Sequence, residues 1–243
     1  MSKTIIITGA SQGIGKATAE AFLADGWTVG LMARRADVLE EISDGNPRAI
    51  PLAADVTDEN QVEAQFAAFA EQTGRIDALF NNAGMSGPRT TIDNVTLEEW
   101  LSVVNLNLTG MFLAARAAFK HMRGQDPRGG RIINNGSISA HVPREFSICY
   151  TTTKHAITGM TRTLSLDGRP LDIACGQIDI GNALTEMVEV TNQRMIAEGK
   201  EPDPFMDVRH AAETVLHMAN LPLNANVQFV TVMATQMPYI GRG

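Results

Sequence analysis

The sequence predicts an α/β fold, a doubly wound parallel sheet of about seven strands with helices on both faces. Three observations carry this. Short apolar runs alternate with segments of helical periodicity from the first residues onward. A glycine-rich turn, Thr8-Gly9-Ala10-Ser11-Gln12-Gly13-Ile14-Gly15, joins the first run to the first helical segment. The chain has 243 residues, 44% hydrophobic and 19% charged, which suits one large core. Strand and helix in strict alternation favour parallel pairing, because each helix carries the chain back across the sheet.

The elements follow in order. Residues 4–8 form a strand, and a helix over 14–25 follows the glycine turn, ended by Gly26. Residues 28–33 are the second strand, 37–42 a short helix, and Asp44-Gly45-Asn46-Pro47 a break. A third strand spans 49–54. Asp58 and Glu59 then open a helix at its positive dipole end, and Gly74 closes it. Its apolar face is Val62, Phe66 and Phe69. Residues 78–81 are the fourth strand. Thr96-Leu97-Glu98-Glu99 is a capping box for a long helix to about residue 123, with Trp100, Val104, Leu108 and Phe112 at steps of four. Residues 131–135 form the fifth strand, and a helix through Tyr150, Ala156 and Met160 comes next. Strands over 172–178 and 227–233 close the pattern, with helices over 183–198 and 207–220 between them and a break at 200–204. No linker, repeat or low-complexity segment interrupts the chain, so residues 1–243 read as one domain.

Composition narrows the function classes. A formal net charge of −7 offers no electrostatic basis for nucleic-acid binding. Cys149 and Cys175 make no disulfide framework and no CxxC pair, and the scattered histidines predict no metal site. The apolar run after Met1-Ser2-Lys3 is too short for a signal peptide or a membrane span. The expectation is a cytoplasmic protein with no membrane partner.

The turn after the first strand predicts nucleotide binding in a Rossmann-like arrangement. Gly9, Gly13 and Gly15 allow a tight turn and close backbone approach, and the helix start faces a pyrophosphate. The strand–turn–helix context is what raises this above a loose glycine pattern; the alternative is a structural βα turn. At the end of the second strand stands Ala33-Arg34-Arg35, without the carboxylate that suits the ribose hydroxyls of NAD. Arginine forks match phosphate oxygens, so Arg34 and Arg35 point to the 2′-phosphate of NADP. The alternative is a solvated basic helix start.

The chemistry concentrates in Tyr150-Thr151-Thr152-Thr153-Lys154, with Ser137 thirteen residues before the tyrosine. A tyrosine hydroxyl is a poor acid or base at neutral pH, its free value being about 10. A lysine four residues on lies on the same helix face, where its charge stabilises a phenolate. A serine hydroxyl could hold a substrate oxygen beside the phenol. These parts move a proton on and off an alcohol while a hydride moves elsewhere.

Thr8–Gly15, Asn81-Asn82-Ala83-Gly84, Ser137 and Tyr150-x-x-x-Lys154, in that order, resemble the short-chain dehydrogenase/reductase family over roughly residues 3–180. The resemblance implies a catalytic tetrad of Asn107, Ser137, Tyr150 and Lys154. Asn107 rather than Asn105 matches, because Leu108-Thr109-Gly110 follows it, and thirteen-residue spacing selects Ser137 over Ser139. Asn, Thr and Gly inside a helix are locally costly, which fits a functional kink. Ser137 would hydrogen-bond the substrate oxygen, Tyr150 would exchange its proton, and Lys154 would bind the nicotinamide ribose. Asn107 would hold a water that relays protons. The resemblance also implies cofactor contacts at Gly9, Ser11, Gln12, Gly13, Ile14, Gly15, Asp55, Val56, Asn82, Ala83, Gly84 and Ile180. Asp55 reads equally as a cap before Thr57.

Departures from the family pattern fall late in the chain. No Pro-Gly turn follows the sixth strand; the best alignment sets Ile178-Asp179 there, and Asp179 reads either as a structural cap or as a group near the cofactor. His141 borders the substrate or is a surface histidine. Residues 182–206 are expected to form a substrate lid in which Met187 and Met195 line a pocket or simply pack. The resemblance implies a homodimer or homotetramer through the two long helices and the tail. The implied function is an NADP(H)-dependent oxidoreductase acting on a small carbonyl or secondary alcohol, with NAD as a possible second cofactor. A non-enzymatic dinucleotide-binding regulator on the same fold is the alternative.

Overall fold

The computed structural model describes residues 2–197, 199 and 201–240. Strands β1 (Thr4–Thr8), β2 (Thr28–Ala33), β3 (Ala49–Ala53), β4 (Ala78–Asn81), β5 (Gly130–Asn135), β6 (Ile173–Ile180) and a last strand (Phe229–Val232) form one sheet. A two-stranded pair, β7 (Ala183–Leu184) and β8 (Met206–Asp207), lies apart from it, so the last strand is β9. The sheet order is β3-β2-β1-β4-β5-β6-β9, with every neighbour parallel. The strand order reverses between β1 and β4. At such a point the crossover helices leave in opposite directions and open a crevice at the C-terminal strand ends.

Alternation along the strands builds a core on each face. Ile5 and Ile7 of β1 face one side with Val29, Leu31, Phe80 and Ile133, while Ile6 faces the other with Met32, Leu52, Leu79 and Ile132. Helices α1 (Gly13–Ala24), α2 (Ala36–Ser43) and α8 (Val208–Asn220) cover the first side through Phe22, Leu39 and Val215. Helices α3 (Glu59–Thr73), α5 (Met111–Gly124) and α6 (Ile148–Gly168) cover the second, α3 through Val62, Phe66 and Phe69. Each such buried side chain contributes about 1.5–3 kcal/mol, so both helix layers are held chiefly by apolar burial. Asp58 caps α3 by accepting from the backbone N–H groups of Asn60 and Gln61, and Gly74 ends it with φ 82°. Thr96 and Glu99 form the expected capping box at the start of α4 (Leu97–Val104).

The long helix is α4 and α5 joined by a π-helical turn over Asn105–Gly110, the kink that Asn107, Thr109 and Gly110 led us to expect. Its stripe of Trp100, Val104, Leu108 and Phe112 does not face the sheet. Val103, Asn107, Gly110 and Ala114 are buried instead, and Phe112 is 49% exposed. Small side chains let the helix approach; a Cβ on Gly110 would stand 2.9 Å from Val56 Cγ2. By length and composition residues 97–124 could cross a membrane, but half of that apolar stretch is buried within the fold.

Two further differences concern the C-terminal half. Strand β6 runs two residues past the expected end, through Asp179 and Ile180. The helix expected from residue 183 is α7 (Glu186–Ala197), because Ala183 and Leu184 pair in parallel with Met206 and Asp207. Residues 198, 200 and 241–243 and the Met187 side chain, all named in the sequence reading, lie outside the described residues. Arg131, wholly interior in β5, fastens the segment before β9. Its Nη2 donates to the carbonyls of Leu221, Pro222 and Ala225, and its Nη1 to Asn226 Oδ1. Burial without a carboxylate partner pulls its pKa down.

Candidate active site

A cavity of about 960 Å³ opens at the C-terminal ends of the strands, around the reversal point. Gly9, Ser11, Gln12, Gly13, Ile14, Arg34, Arg35, Asp55, Val56, Asn82, Ala83, Gly84, Ser137, Tyr150, Lys154 and Ile180 all line it. Residues separated by up to 171 positions thus share one space, which periodicity alone could not have shown. Gly15 and Asn107 stand behind the wall.

The glycine turn is built by backbone approach. Gly9 has φ 68°, and a Cβ there would meet Asn82 Nδ2 at 3.0 Å and Ala83 Cα at 3.1 Å. A Cβ on Gly15 would lie 2.2 Å from the Gly9 carbonyl oxygen. Thr8 ties the turn to the end of β4: its Oγ1 accepts from Asn82 N at 2.8 Å and Ala83 N at 3.0 Å, and its carbonyl from Asn82 Nδ2 at 2.9 Å. The result is an open helix start with nearby guanidiniums. Arg35 Nη2 donates to Gln12 Oε1 at 3.0 Å and Ser11 Oγ at 3.2 Å, so the end of β2 leans over the turn. Asp55 Oδ1 accepts from Thr57 N and Oγ1, at 2.9 and 2.8 Å. Asp55 thus closes a local turn on Thr57 while lining the cavity, and the cap of the helix that follows is Asp58. These donors and the tight turn fit a phosphate-bearing dinucleotide, since they present N–H groups and positive charge to one end of the space.

The residues expected to handle the proton lie on the other side of β1 and β4. Ser137 is extended, φ −172°, at the end of β5, where a 3₁₀ turn over Ile138–Ala140 begins. Its Oγ accepts from Ser139 N at 3.1 Å, which leaves the hydroxyl hydrogen free to point into the cavity. Tyr150 and Lys154 stand one helical turn apart on α6. The Lys154 ammonium is 5.5 Å from the Tyr150 ring centroid and donates to the Asn135 carbonyl at 2.7 Å. Lys154 is buried, and its stem is held by the fold. Asn107, also buried, accepts from Met85 N and donates to Met85 O, each at 2.8 Å, and donates to Thr153 Oγ1 at 3.2 Å. Its side chain fastens the loop after β4 to α6, and these bonds occupy the carboxamide.

The later segment differs most from expectation. The alignment of Ile178-Asp179 with a Pro-Gly turn is corrected: both are strand residues, and the turn starts at Gly181. Strand pairing explains the shift, because Asp179 and Ile180 pair with Thr231 and Val232 of β9. Asp179 is neither a cap nor a wall of the cavity. It is 1% exposed and accepts from Ser137 N, Gln177 Nε2 and His141 Nε2. Arg144 Nη2 donates to Asn182 Oδ1 at 2.9 Å across the cavity mouth. Phe146 lines the same mouth at 49% exposed with φ 60°, a costly conformation for a bulky residue. No periodicity or motif in the sequence marks Arg144, Asn182 or Phe146. Cys149 and Cys175 are free, and burial pushes the Cys175 thiol up to about 12.

Comparison with known proteins agrees with this geometry. The family described as "short chain dehydrogenase" matches residues 3–196. The chain is 34% identical to glucose 1-dehydrogenase 2 of Bacillus subtilis over 189 residues, 76% of this chain and 73% of that one. It is 33% identical to levodione reductase of Leifsonia aquatica, covering 85% and 79%. Among solved structures, a closed form of serine dehydrogenase complexed with NADP+ superposes with TM-score 0.89 over 99% of this chain and 98% of that one, at 24% identity. The chain belongs to the short-chain dehydrogenase family. It is an enzyme of the dehydrogenase and reductase type, acting between CH–OH and C=O groups.

Proposed function

We propose that this protein is an NADP(H)-dependent oxidoreductase that interconverts a carbonyl and a secondary alcohol, with Tyr150 as general acid and base. The observation that carries the reading is a single cavity lined by Ser137, Tyr150 and Lys154 and, beyond β1 and β4, by the glycine turn and Arg34–Arg35. The dinucleotide, when bound, supplies or takes up the hydride. Gly9, Ser11, Gln12, Gly13 and Ile14 would hold its pyrophosphate at the start of α1, with Gly15 letting the turn close behind them. Arg34 and Arg35 would hold the 2′-phosphate, Asp55 and Val56 the adenine, Asn82, Ala83 and Gly84 the adenine ribose, and Ile180 the carboxamide. The NADP+ of the serine dehydrogenase structure supports the choice, and the NADH of a bacterial 3-ketoacyl reductase structure leaves NAD as a second cofactor.

The chain's own residues do the proton chemistry. Ser137 donates its free hydroxyl hydrogen to the substrate oxygen. Tyr150 gives its proton to that oxygen in reduction and takes it back in oxidation. Lys154, one helical turn from Tyr150 and held by the Asn135 carbonyl, binds the ribose. With the Asn107 carboxamide occupied, the water relay falls to the Asn107 main chain, whose π turn loosens the usual carbonyl pairing.

Relatives named for glucose, levodione and serine support a small carbonyl or alcohol substrate. Residues 1–243 act as one domain in this reading, with 182–206 as the substrate lid. A groove of about 520 Å³ between α5 and α6, lined by Phe112, Phe119, Met160 and Leu164, supports a homodimer or homotetramer through the long helices. Free cysteines support a cytoplasmic enzyme. The test is a spectrophotometric screen of NADPH oxidation and NADP reduction across carbonyls and alcohols, with NADPH and NADH affinities measured separately. Tight NADPH binding without any turnover would favour a regulator. NADH binding equal to NADPH would remove the 2′-phosphate role of the arginines.

A further inference from the structure

The two oxygens of one buried carboxylate hold both ends of the turn that carries Ser137. Asp179 Oδ1 accepts from Ser137 N at 2.9 Å and from Gln177 Nε2 at 2.8 Å, and Oδ2 is 2.8 Å from His141 Nε2. Between Ser137 and His141 lies only the 3₁₀ turn Ile138–Ala140, closed by Ala140 N to Ser137 O at 2.8 Å. The carboxylate is pressed against the backbone: a Cβ on Gly136 would fall 2.0 Å from Asp179 Oδ1, so this arrangement requires glycine there. Gln177 cannot release it, because its Nε2 also donates to Thr158 Oγ1 and its Oε1 accepts from Thr161 Oγ1. Asp179 is 1% exposed and does not itself line the cavity, standing behind Gly136 and Ser137, which do, while the His141 side chain is 39% exposed.

We infer that Asp179 is a positioning residue for Ser137, with His141 as the second anchor of the same clamp. Resting on the oxidoreductase reading above, this assigns to β6 the task of aiming the serine. A serine hydroxyl swings from its backbone. With its amide fixed by Asp179, its carbonyl by Ala140 and one Oγ lone pair by Ser139 N, the Oγ is held in place and its hydrogen is kept off the side facing Ser139. Released, the turn would let the hydroxyl drift by an ångström or so, enough to cost on the order of 100-fold in rate.

Three variants test the clamp with the best carbonyl found in the screen. Asp179→Ala should lower kcat by about 10- to 100-fold with NADPH affinity unchanged, and amide exchange over residues 137–141 should accelerate. Asp179→Asn should rescue both. Its carbonyl accepts from Ser137 N, and its NH₂ donates to His141 in the other imidazole tautomer. His141→Ala, at an exposed position that tolerates truncation, should lower kcat by roughly 3- to 10-fold. That variant keeps the proposal open to refutation if Asp179→Ala does not fold. Wild-type kcat in His141→Ala or Asp179→Ala overturns the clamp. So does Asp179→Asn failing as badly as alanine while folded, or a loss confined to cofactor affinity. If the wild-type protein turns over no carbonyl, the oxidoreductase reading falls, while the exchange rates of residues 137–141 still judge the clamp.

Discussion

The turn after β1 and the turn after β5 both leave the sheet at the same cavity, yet they are held in different ways. Gly9–Gly15 is shaped by what is missing: without Cβ atoms the backbone closes on itself and on Asn82. The Ser137 turn is shaped by what is added from elsewhere, the Asp179 carboxylate and the side chains behind it. Binding a phosphate asks for N–H groups in a ring, which a local sequence can supply. Aiming one hydroxyl asks for side chains that fix several atoms at once, and no short stretch of chain offers enough of them.

The comparison can be broken at several points. The largest effect is expected for Tyr150→Phe, a loss of about 10²- to 10⁴-fold in kcat with NADPH binding nearly intact. Residual wild-type turnover would remove the tyrosine from the chemistry. On the cofactor side, Gly15→Ala forces a Cβ against the Gly9 carbonyl, and loss of NADPH affinity together with a lower Tm is expected. An unchanged Kd would show that the turn has room to relax. Replacing Arg34 and Arg35 with alanine should weaken NADPH by about 10-fold or more, since charge-assisted bonds contribute about 1.5–3 kcal/mol each, and should leave NADH unchanged. Equal weakening of both would assign the arginines to fold rather than to phosphate. The smallest effect has the opposite sign. Phe146→Gly relieves a φ of 60° and exposes no core, so stability should rise by about 1 kcal/mol, read as a higher Tm. A fall in Tm would mean that the ring packs more than its exposure suggests.

Much of the N-terminal half was legible because its signals are local. Strand alternation, the Asp58 and Thr96 caps and Gly74 each act within one turn of chain. The π turn was legible as a conflict, since Asn107, Thr109 and Gly110 are poor interior helix residues. The end of β6 was not. Asp179 and Ile180 are strand because β9 pairs with them, and the segment before β9 is held by Arg131, some ninety residues earlier. Nor did the stripe at Phe112 reveal its own orientation, because the small residues beside it, rather than the large ones, set the approach to the sheet.

By itself the sequence determined the α/β class, the glycine turn and the pairing of Tyr150 with Lys154 on one helix face, because each depends on backbone conformation or on neighbours within a helical turn. Tertiary structure alone decided what holds the serine and what borders the mouth. Asp179 meets Ser137 across 42 positions and Arg144 meets Asn182 across 38. Such contacts depend on which strands lie side by side, and that order comes from packing the whole sheet rather than from any one segment of it.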